Sequence, residues 1–580
     1  MTQLDPFTQE IVKDKLAAIA DEMGIVLART SMSPIVYEVL DFACGLTDTD
    51  GRVLAQTNGL TLFTGTFGTQ VRRVMQKFPR GMMEPGDVFL TNDPYGGGTH
   101  VCDICLVAPV FVDPDVVAFA VSITHWIDTG GSVPGSIPVD ATEIFQEGIR
   151  LPCVRVARRD GFEATVVDII EANVRTPRLA IGDLRAGTAA VRIGERGVQE
   201  ICARYGVKTL ATVASALLDH ADQLARERIR QIPDGVYVAA DTIDGDGVTD
   251  EDIPIMVRVV VDGDRIMADF TGSAPQRAAP INCPRSALES ACNTVFRAIT
   301  TPQARSNDGC FRAMSIVCPE GTVFTAGLPA PTGWYYEASA CATELMWKAL
   351  APVLPDRLSA GSYMSLCVSY IIGHGVGGAD VFVLAEPNNG GWGASADADG
   401  ESALIATTDG DTYNFPVEVV EARFPLMVER YELNCAAGGG AGRRRGGFGL
   451  VREYRVLDDN GAVAYGSMTG ARRRPWGLGG GGEGTNNYFE FCEDGATPTR
   501  AGRVRRRDLQ PGQLVRIVTG TGGGYGHPFD REPDLVAGDI IDGYITVDQA
   551  RTEYGVVIDP ATHALDPKGT AALRAAGRST

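Results

Sequence analysis

Past residue 360 the chain gathers its glycines into clusters, at 375–378, 438–442, 477–484 and 520–524. A glycine inside a helix costs about 1 kcal/mol relative to alanine, so this half is expected to be strand-like and irregular rather than helical. The clusters follow no fixed period, which argues against a solenoid or a propeller. Glycine reaches 69 of 580 residues, nearly twice the ordinary share of about 7%. The stretch from Gly477 to Gly482 satisfies GxGxxG trivially. No strand leads into it and no helix leaves it, so no dinucleotide site is expected there.

The first 360 residues have a different texture. Asp5 is a good N-cap and Pro6 suits the first helical position, so a helix is predicted from 6 to about 29. Its apolar stripe would be Phe7, Ile11, Leu16, Ile19, Met23, Val26 and Leu27. Residues 40–56 read as a hairpin turning at Asp48–Gly51. After a glycine loop at 91–100, two apolar strands follow near 103–112 and 116–126, joined through Asp113, Pro114 and Asp115. Residues 163–230 are helix-rich, with an amphipathic run from Val207 to Ile229; strands resume near 234, and a helix is expected over Arg285–Thr300. The fold class is therefore mixed α/β (α+β) in several units: 1–160 around an N-terminal metal site, a helical segment over 161–232, a mixed β/α part over 233–360, and a glycine-rich, β-rich part over 361–580.

Several function classes drop out. Lys plus Arg is 52 against 73 Asp plus Glu, a formal charge of −21, and such a chain repels phosphate backbones and anionic membrane surfaces. No run of about 18 uninterrupted apolar residues exists, so no membrane span is expected. The 13 cysteines are scattered, odd in number and without a secretory leader before them, which reads as reduced thiols in cytoplasm. None of the six lysines follows a glycine, so the phosphate-cradling loop GxxxxGK[ST] is absent. ATP bound through that loop would have to come with another chain.

The chain has six histidines. If residues 113–115 connect the two apolar strands, 112 faces 116 and Asp103 faces His125, with Cβ atoms about 4.5–5.5 Å apart. His100 lies three residues before Asp103, too close to share a regular strand face, but the glycine loop can bend it to the same point. Two imidazoles and a carboxylate form an N,N,O donor set suited to Zn²⁺ and also to Mn²⁺ or Fe²⁺. A histidine and an aspartate across a hairpin equally make a plain hydrogen-bonded pair, and spacing alone leaves both readings open. Cys102 and Cys105 would point to opposite strand faces as small packing residues. Asp41 interrupts the apolar series Val39, Leu40, Phe42, Ala43 and so needs a partner, a metal or solvent. His374 and His527 sit in glycine-rich loops, and His220 and His563 read as surface or packing residues. The runs Arg443–Arg445, Arg472–Arg474 and Arg505–Arg507 read first as solvated surface and second as a subunit interface.

Taken together, DPFTQEIVKDKLAAIADEMG at 5–24, LDFACGLTDTDGRVLAQ at 40–56, NDPYGGGTHVCDI at 92–104, PGSIPVDATEIFQEGIRLP at 134–152, NDGCFR at 307–312, GGAGRRRGGFG at 439–449 and GGGYGHPFDREP at 522–533 resemble the hydantoinase B/oxoprolinase family over nearly the whole chain. The resemblance implies a metal site built from a His-x-x-Asp pair and a later His, at His100, Asp103 and His125, with Asp41 as a further ligand by analogy with lactam-hydrolysing relatives. It implies one divalent ion (Zn or Mn, alternatively Fe) and leaves the catalytic residues beyond that site open. It also implies a hydantoinase A-type partner that binds ATP and Mg²⁺, hence a hetero-oligomer. Leu40, where an arginine is common, and Cys102 beside the ligand aspartate depart from the pattern.

The activity so implied is ATP-dependent opening of a cyclic amide (lactam or hydantoin) after the partner phosphorylates it. Family membership leaves a second activity open, carboxylation of a ketone as in the acetone and acetophenone carboxylases. A third, non-enzymatic reading is a scaffold that only positions the ATP-binding chain.

Overall fold

The computed structural model describes residues 5–374, 381–410, 412–492 and 498–577; the glycine cluster at 375–378 lies outside the described residues. The fold is mixed α/β, in two compact units. The first holds residues 1–343 with 378–386 and 408–416, and the second holds 344–377, 387–407 and 417–580. Each is taken by itself.

The first unit is built on a seven-stranded sheet of β1 (Phe42–Thr47), β2 (Val53–Gln56), β3 (Val88–Thr91), β4 (Asp103–Val112), β5 (Asp115–His125), β6 (Val154–Arg158) and β7 (Gly161–Phe162), in the order β2-β1-β5-β4-β3-β6-β7. The hairpin turn at Asp48–Gly51 forms as its sequence predicts, with the Asp48 carboxylate accepting from the N–H of Asp50 and of Arg52. The β4–β5 turn is shorter than expected. Val112 faces Asp115 rather than residue 116, leaving Asp113 and Pro114 as the loop. A bulge between Val110 and Phe111 then takes up one residue and restores the expected register, so Asp103 does face His125.

Two helices cover this sheet. The helix Pro6–Thr30 starts where Asp5 accepts from the N–H of Phe7 and Thr8. It buries Val12, Leu16, Ile19, Met23 and Leu27. Phe7 and Ile11, expected in the stripe, are 79% and 45% exposed, because at about 100° per residue they fall on the other side of the helix from the buried row that starts at Val12. The helix Pro177–Tyr205 lies on β4 and β5. Close approach explains its glycines. A Cβ on Gly187 would stand 2.9 Å from Leu106, and one on Gly194 would stand 2.7 Å from Ala120 and Met23. The helices Val207–Ile229 and Arg285–Thr300 have the bounds read from sequence. A second sheet, in the order β11-β10-β9-β8, comprises β8 (Gly235–Ile243), β9 (Ile253–Asp262), β10 (Arg265–Asp269) and β11 (Met314–Val317).

In the second unit the glycine clusters form a bundle of extended segments. Residues 520–526 run through its middle and bond to neighbours on several sides. Gly522 N–H donates to Gly447 O, Gly523 N–H to Gly361 O and Gly524 N–H to Gly482 O, while Gly391 N–H donates to Gly520 O. A flat ladder offers a strand two neighbours; a chain without side chains can be surrounded. The spacing permits nothing larger than hydrogen, since a Cβ on Gly522 would lie 1.9 Å from Trp392 O. The stretch Gly477–Gly482 belongs to this packing, and a Cβ on Gly481 would meet Gly524 O at 2.1 Å. The Arg443–Arg445 run is not simply solvated surface. Arg445 is buried, 4.3 Å over the Phe448 ring and 3.8 Å from Asp539, because its charge is matched inside this unit.

This bundle makes a sharp prediction. Gly522→Ala should abolish soluble folding of the second unit or lower its stability by more than about 3 kcal/mol. Gly538→Ala, in the helix Pro533–Ile541 with no atom within 4 Å of the added methyl, should raise stability by about 0.5–1 kcal/mol. Thermal melts and soluble yield of the two variants read the contrast.

Candidate metal centre

Strand register assembles the site. β1 pairs with β5 so that Phe42 faces Thr124, which carries Asp41 to the level of His125; the His125 N–H donates to Asp41 O at 3.1 Å. β5 pairs with β4 so that His125 faces Asp103. Asp41, His125 and Asp103 therefore form one row across three neighbouring strands. His100 joins them from a turn closed by the Asp103 N–H donating to His100 O at 3.2 Å. This turn, more than the upstream glycine loop, removes the strand geometry that would point positions i and i+3 apart. Upstream, Gly97 takes φ +105°, a left-handed conformation open to glycine.

Three donor atoms meet. His100 Nε2 is 2.9 Å from Asp103 Oδ1, His125 Nδ1 is 3.1 Å from the same oxygen, and the two ring nitrogens are 3.2 Å apart. Among the described residues, His100, Asp103 and His125 form the group of three whose potential ligand atoms all lie within 4.8 Å of one another. All three are buried. Asp41 stands in the same row but outside that triangle; it is half-buried, and its Oδ1 is sealed from solvent with no partner.

The partners of the three donors fix their roles. His100 Nδ1 lies 3.0 Å from Gly333 O, an atom that can only accept, so Nδ1 carries the hydrogen. A neutral His100 then presents a bare Nε2 lone pair to the Asp103 carboxylate, an arrangement that requires positive charge between them, either a cation or a proton on Nε2. Asp103 Oδ2 is held by the hydroxyls of Thr99 and Tyr335. The Tyr335 and Tyr336 rings pack edge-on to His100 and help wall the site.

Without an ion, a proton on His100 Nε2 supplies that positive charge. Burial would raise the Asp103 carboxyl, but the His100 charge and hydrogen bonds from both imidazoles outweigh it and hold it well below the usual range. Burial works against charging His100, yet Asp103 and Gly333 raise it overall, while burial and the His100 charge lower His125. Asp41 is pushed well up by burial and by the charges of Asp409 and Asp103. Asp409 itself is buried, bonded to the Thr412 hydroxyl and pushed up to about 7 by burial, with Asp103 adding to the rise. Three carboxyls crowding one buried volume suit a divalent cation. Ligands about 2.1 Å from one ion stand about 3.0 Å apart at right angles and about 3.4 Å apart at the tetrahedral angle. The observed triangle, 2.9–3.2 Å on its sides, is of that size, so the residues fit an N,N,O donor set.

The remaining candidates are elsewhere. Cys102 is buried with Sγ 3.6 Å from the Thr129 hydroxyl, Cys105 is buried and free, and burial raises both thiols. His220, His374 and His563 are exposed, and the His527 ring accepts from the Phe529 N–H. Two acids escaped the sequence: Asp409, in a stretch without a histidine or cysteine nearby, and Glu147, within the QEG of the 134–152 segment. Neither carries a spacing signal.

Comparison with known proteins follows the same line. The sequence profile of a family described as Hydantoinase B/oxoprolinase matches residues 5–528. The B chain of a putative D-/L-hydantoinase from Pseudomonas sp. (strain NS671) is 33% identical over 577 residues, covering 96% of each chain. The caprolactamase beta chain of Pseudomonas jessenii is 30% identical over 606 residues, covering 99% of this chain and 100% of the other. The crystal structure of the ATP-dependent caprolactamase from that organism superposes with a TM-score of 0.91 at 27% identity, over 99% of this chain and 100% of that one. A nucleotide-free acetone carboxylase superposes with a TM-score of 0.92 at 21% identity, over 99% of this chain and 83% of that one, a likeness of fold.

The buried acids predict a pH dependence. An unfolded aspartate titrates near 4 and Asp409 in the fold near 7. A raised acid stabilises the fold least where it must ionise, so its penalty is absent at low pH, grows from about pH 4 and is complete above about pH 7. In chelator-treated protein, Asp409→Asn should therefore be the more stable form, by up to about 4 kcal/mol at pH 8, with less than about half that gap at pH 5. Thermal melts across this range should show the gap widening with pH; a constant gap contradicts the assignment.

Proposed function

Because the chain belongs to the hydantoinase B/oxoprolinase family, we propose that it is the metal-bearing subunit of an ATP-dependent hydrolase of cyclic amides, acting on a lactam or hydantoin ring. The observation that carries the metal is the His100–Asp103–His125 triangle, with His100 tautomerised by Gly333 O so that a lone pair faces it. The relatives are named as single subunits of their enzymes, which supports a partner chain here. The absent phosphate loop supports placing ATP there, on a hydantoinase A-type subunit.

A cyclic amide is a poor electrophile, and phosphorylation of its oxygen by the partner makes a reactive imidate-like phosphate. A divalent ion at this site (Zn²⁺ or Mn²⁺, alternatively Fe²⁺) would supply Lewis acidity and make water nucleophilic near neutral pH. His100, Asp103 and His125 would hold it, and Asp41, with its sealed Oδ1, would complete the set. Thr99 and Tyr335 orient Asp103 by holding the oxygen turned away from the imidazoles. Tyr335 and Tyr336 keep bulk water from His100, which strengthens every charge interaction inside. Asp409, which stands outside that set, is pushed up to about 7 by burial and so can hold a proton near neutral pH for the departing ring nitrogen.

The fold shared with acetone carboxylase sustains a second reading, carboxylation of a ketone. Bicarbonate dependence separates the two, since ring opening needs none. With the partner chain, ATP and a panel of lactams and hydantoins, the purified complex is expected to carry one divalent ion per copy of this chain. Chelation should abolish ring hydrolysis, and His100→Ala or Asp103→Asn should lower kcat/KM by more than about 10³-fold with the complex still assembled. Full activity after chelation, with no metal by elemental analysis, removes the proposal. Unaltered turnover by His100→Ala leaves only a scaffold.

A further inference from the structure

Glu147 has no place in the ligand set, yet it is fully buried with no exposed surface. It follows the short turn Ile144–Gln146, where its own N–H donates to Ile144 O at 3.0 Å. Both its carboxylate oxygens are used. Oε1 accepts from the Gly333 N–H at 2.7 Å and Oε2 from the Thr332 N–H at 3.1 Å. Gly333 is the residue whose carbonyl receives the His100 Nδ1 hydrogen. The contact is too tight for a side chain at 333, where a Cβ would stand 2.9 Å from Glu147 Oε1 and 3.0 Å from Ile137. A buried carboxylate is an expensive way to anchor a loop unless its position matters, and burial pushes this one up to about 7.

We propose that Glu147 is a positioning residue for the metal site: by clamping the Thr332–Gly333 backbone it aims the Gly333 carbonyl at His100 Nδ1 and so keeps Nε2 bare for the ion. This rests on the metal reading above. Outer partners of this kind fix the ring's tautomer and orientation, and their loss typically weakens metal binding about 10–100-fold. Glutamine at 147 would turn its NH₂ toward one of the two N–H groups. Aspartate would keep the charge but fall one methylene short of reaching both.

The test is metal binding by the full-length chain, with Mn²⁺ affinity from chelator competition and the Co²⁺ absorption spectrum as a report on ligand geometry. Wild type should bind one ion, and His100→Ala should lose it. Glu147→Gln and Glu147→Asp should each bind about 10–100-fold more weakly with a changed Co²⁺ spectrum, while their metal-free thermal melts stay cooperative. Either variant binding Mn²⁺ like wild type with an unaltered spectrum overturns the proposal; a normal Glu147→Asp beside a weak Glu147→Gln would assign the effect to charge instead. Should the variants not fold, nitrogen NMR of the histidine-labelled, zinc-loaded wild type still decides: hydrogen on His100 Nδ1 supports the proposal and hydrogen on Nε2 overturns it. A wild type that binds no ion, or a His100→Ala that binds as tightly, defeats the metal reading itself, an outcome distinct from failure at Glu147 alone.

Discussion

Antiparallel register is what the site depends on. Each strand pair fixes which side chains share a face and at what height, and a slip of one residue would send all of them to the other face. Here two registers act in series, β1 on β5 and β5 on β4, and they bring Asp41, His125 and Asp103 to one level. The sheet's core supplies the stiffness. Ala43, Cys44, Ile104, Cys105, Ile123 and Val121 are all buried along these strands. Polar groups whose charges repel one another are held together because moving any one would shear an apolar sheet.

What that sheet holds is a charge problem. Asp41, Asp103 and Asp409 crowd a volume whose other polar groups include two imidazoles, hydroxyls and backbone amides. Buried like charges raise one another's titration points and oppose folding. A cation among them reverses the sign of that interaction, which is why the same arrangement is a liability without an ion and a binding site with one. Glu147 extends the pattern outward, reaching the candidate ligand His100 through the Gly333 backbone.

Much of this was legible in the sequence, because register is a matter of counting. Asp103 opposite His125 follows from the length of a hairpin, and it survived a wrong turn length only because the Val110/Phe111 bulge absorbs one residue. The helices Val207–Ile229 and Arg285–Thr300 follow from apolar periodicity. Phe7 and Ile11 show the limit of that method: they are apolar but lie a large rotation away from the buried row of Val12, Leu16, Ile19 and Met23. Family resemblance, not spacing, brought Asp41 into the set. Asp409 and Glu147 left no trace, since each meets the site across a long stretch of chain and a lone acid in a loop looks like any solvated one.

The glycine-rich half teaches the complementary lesson. Counting glycines excludes helices but does not say what replaces them, because the usual patterns describe where side chains go and these segments have almost none. Their specificity lies in backbone hydrogen bonds, with Gly522, Gly523 and Gly524 each donating to a different neighbour segment. The segments themselves bring few side chains to bury, so their cohesion with one another draws on backbone N–H and C=O groups bonded at close approach. The same unit shows how an arginine run can sit inside an acidic chain. Arg445 lies over the Phe448 and Tyr544 rings with its flat guanidinium, and within this unit its charge is answered by Asp539.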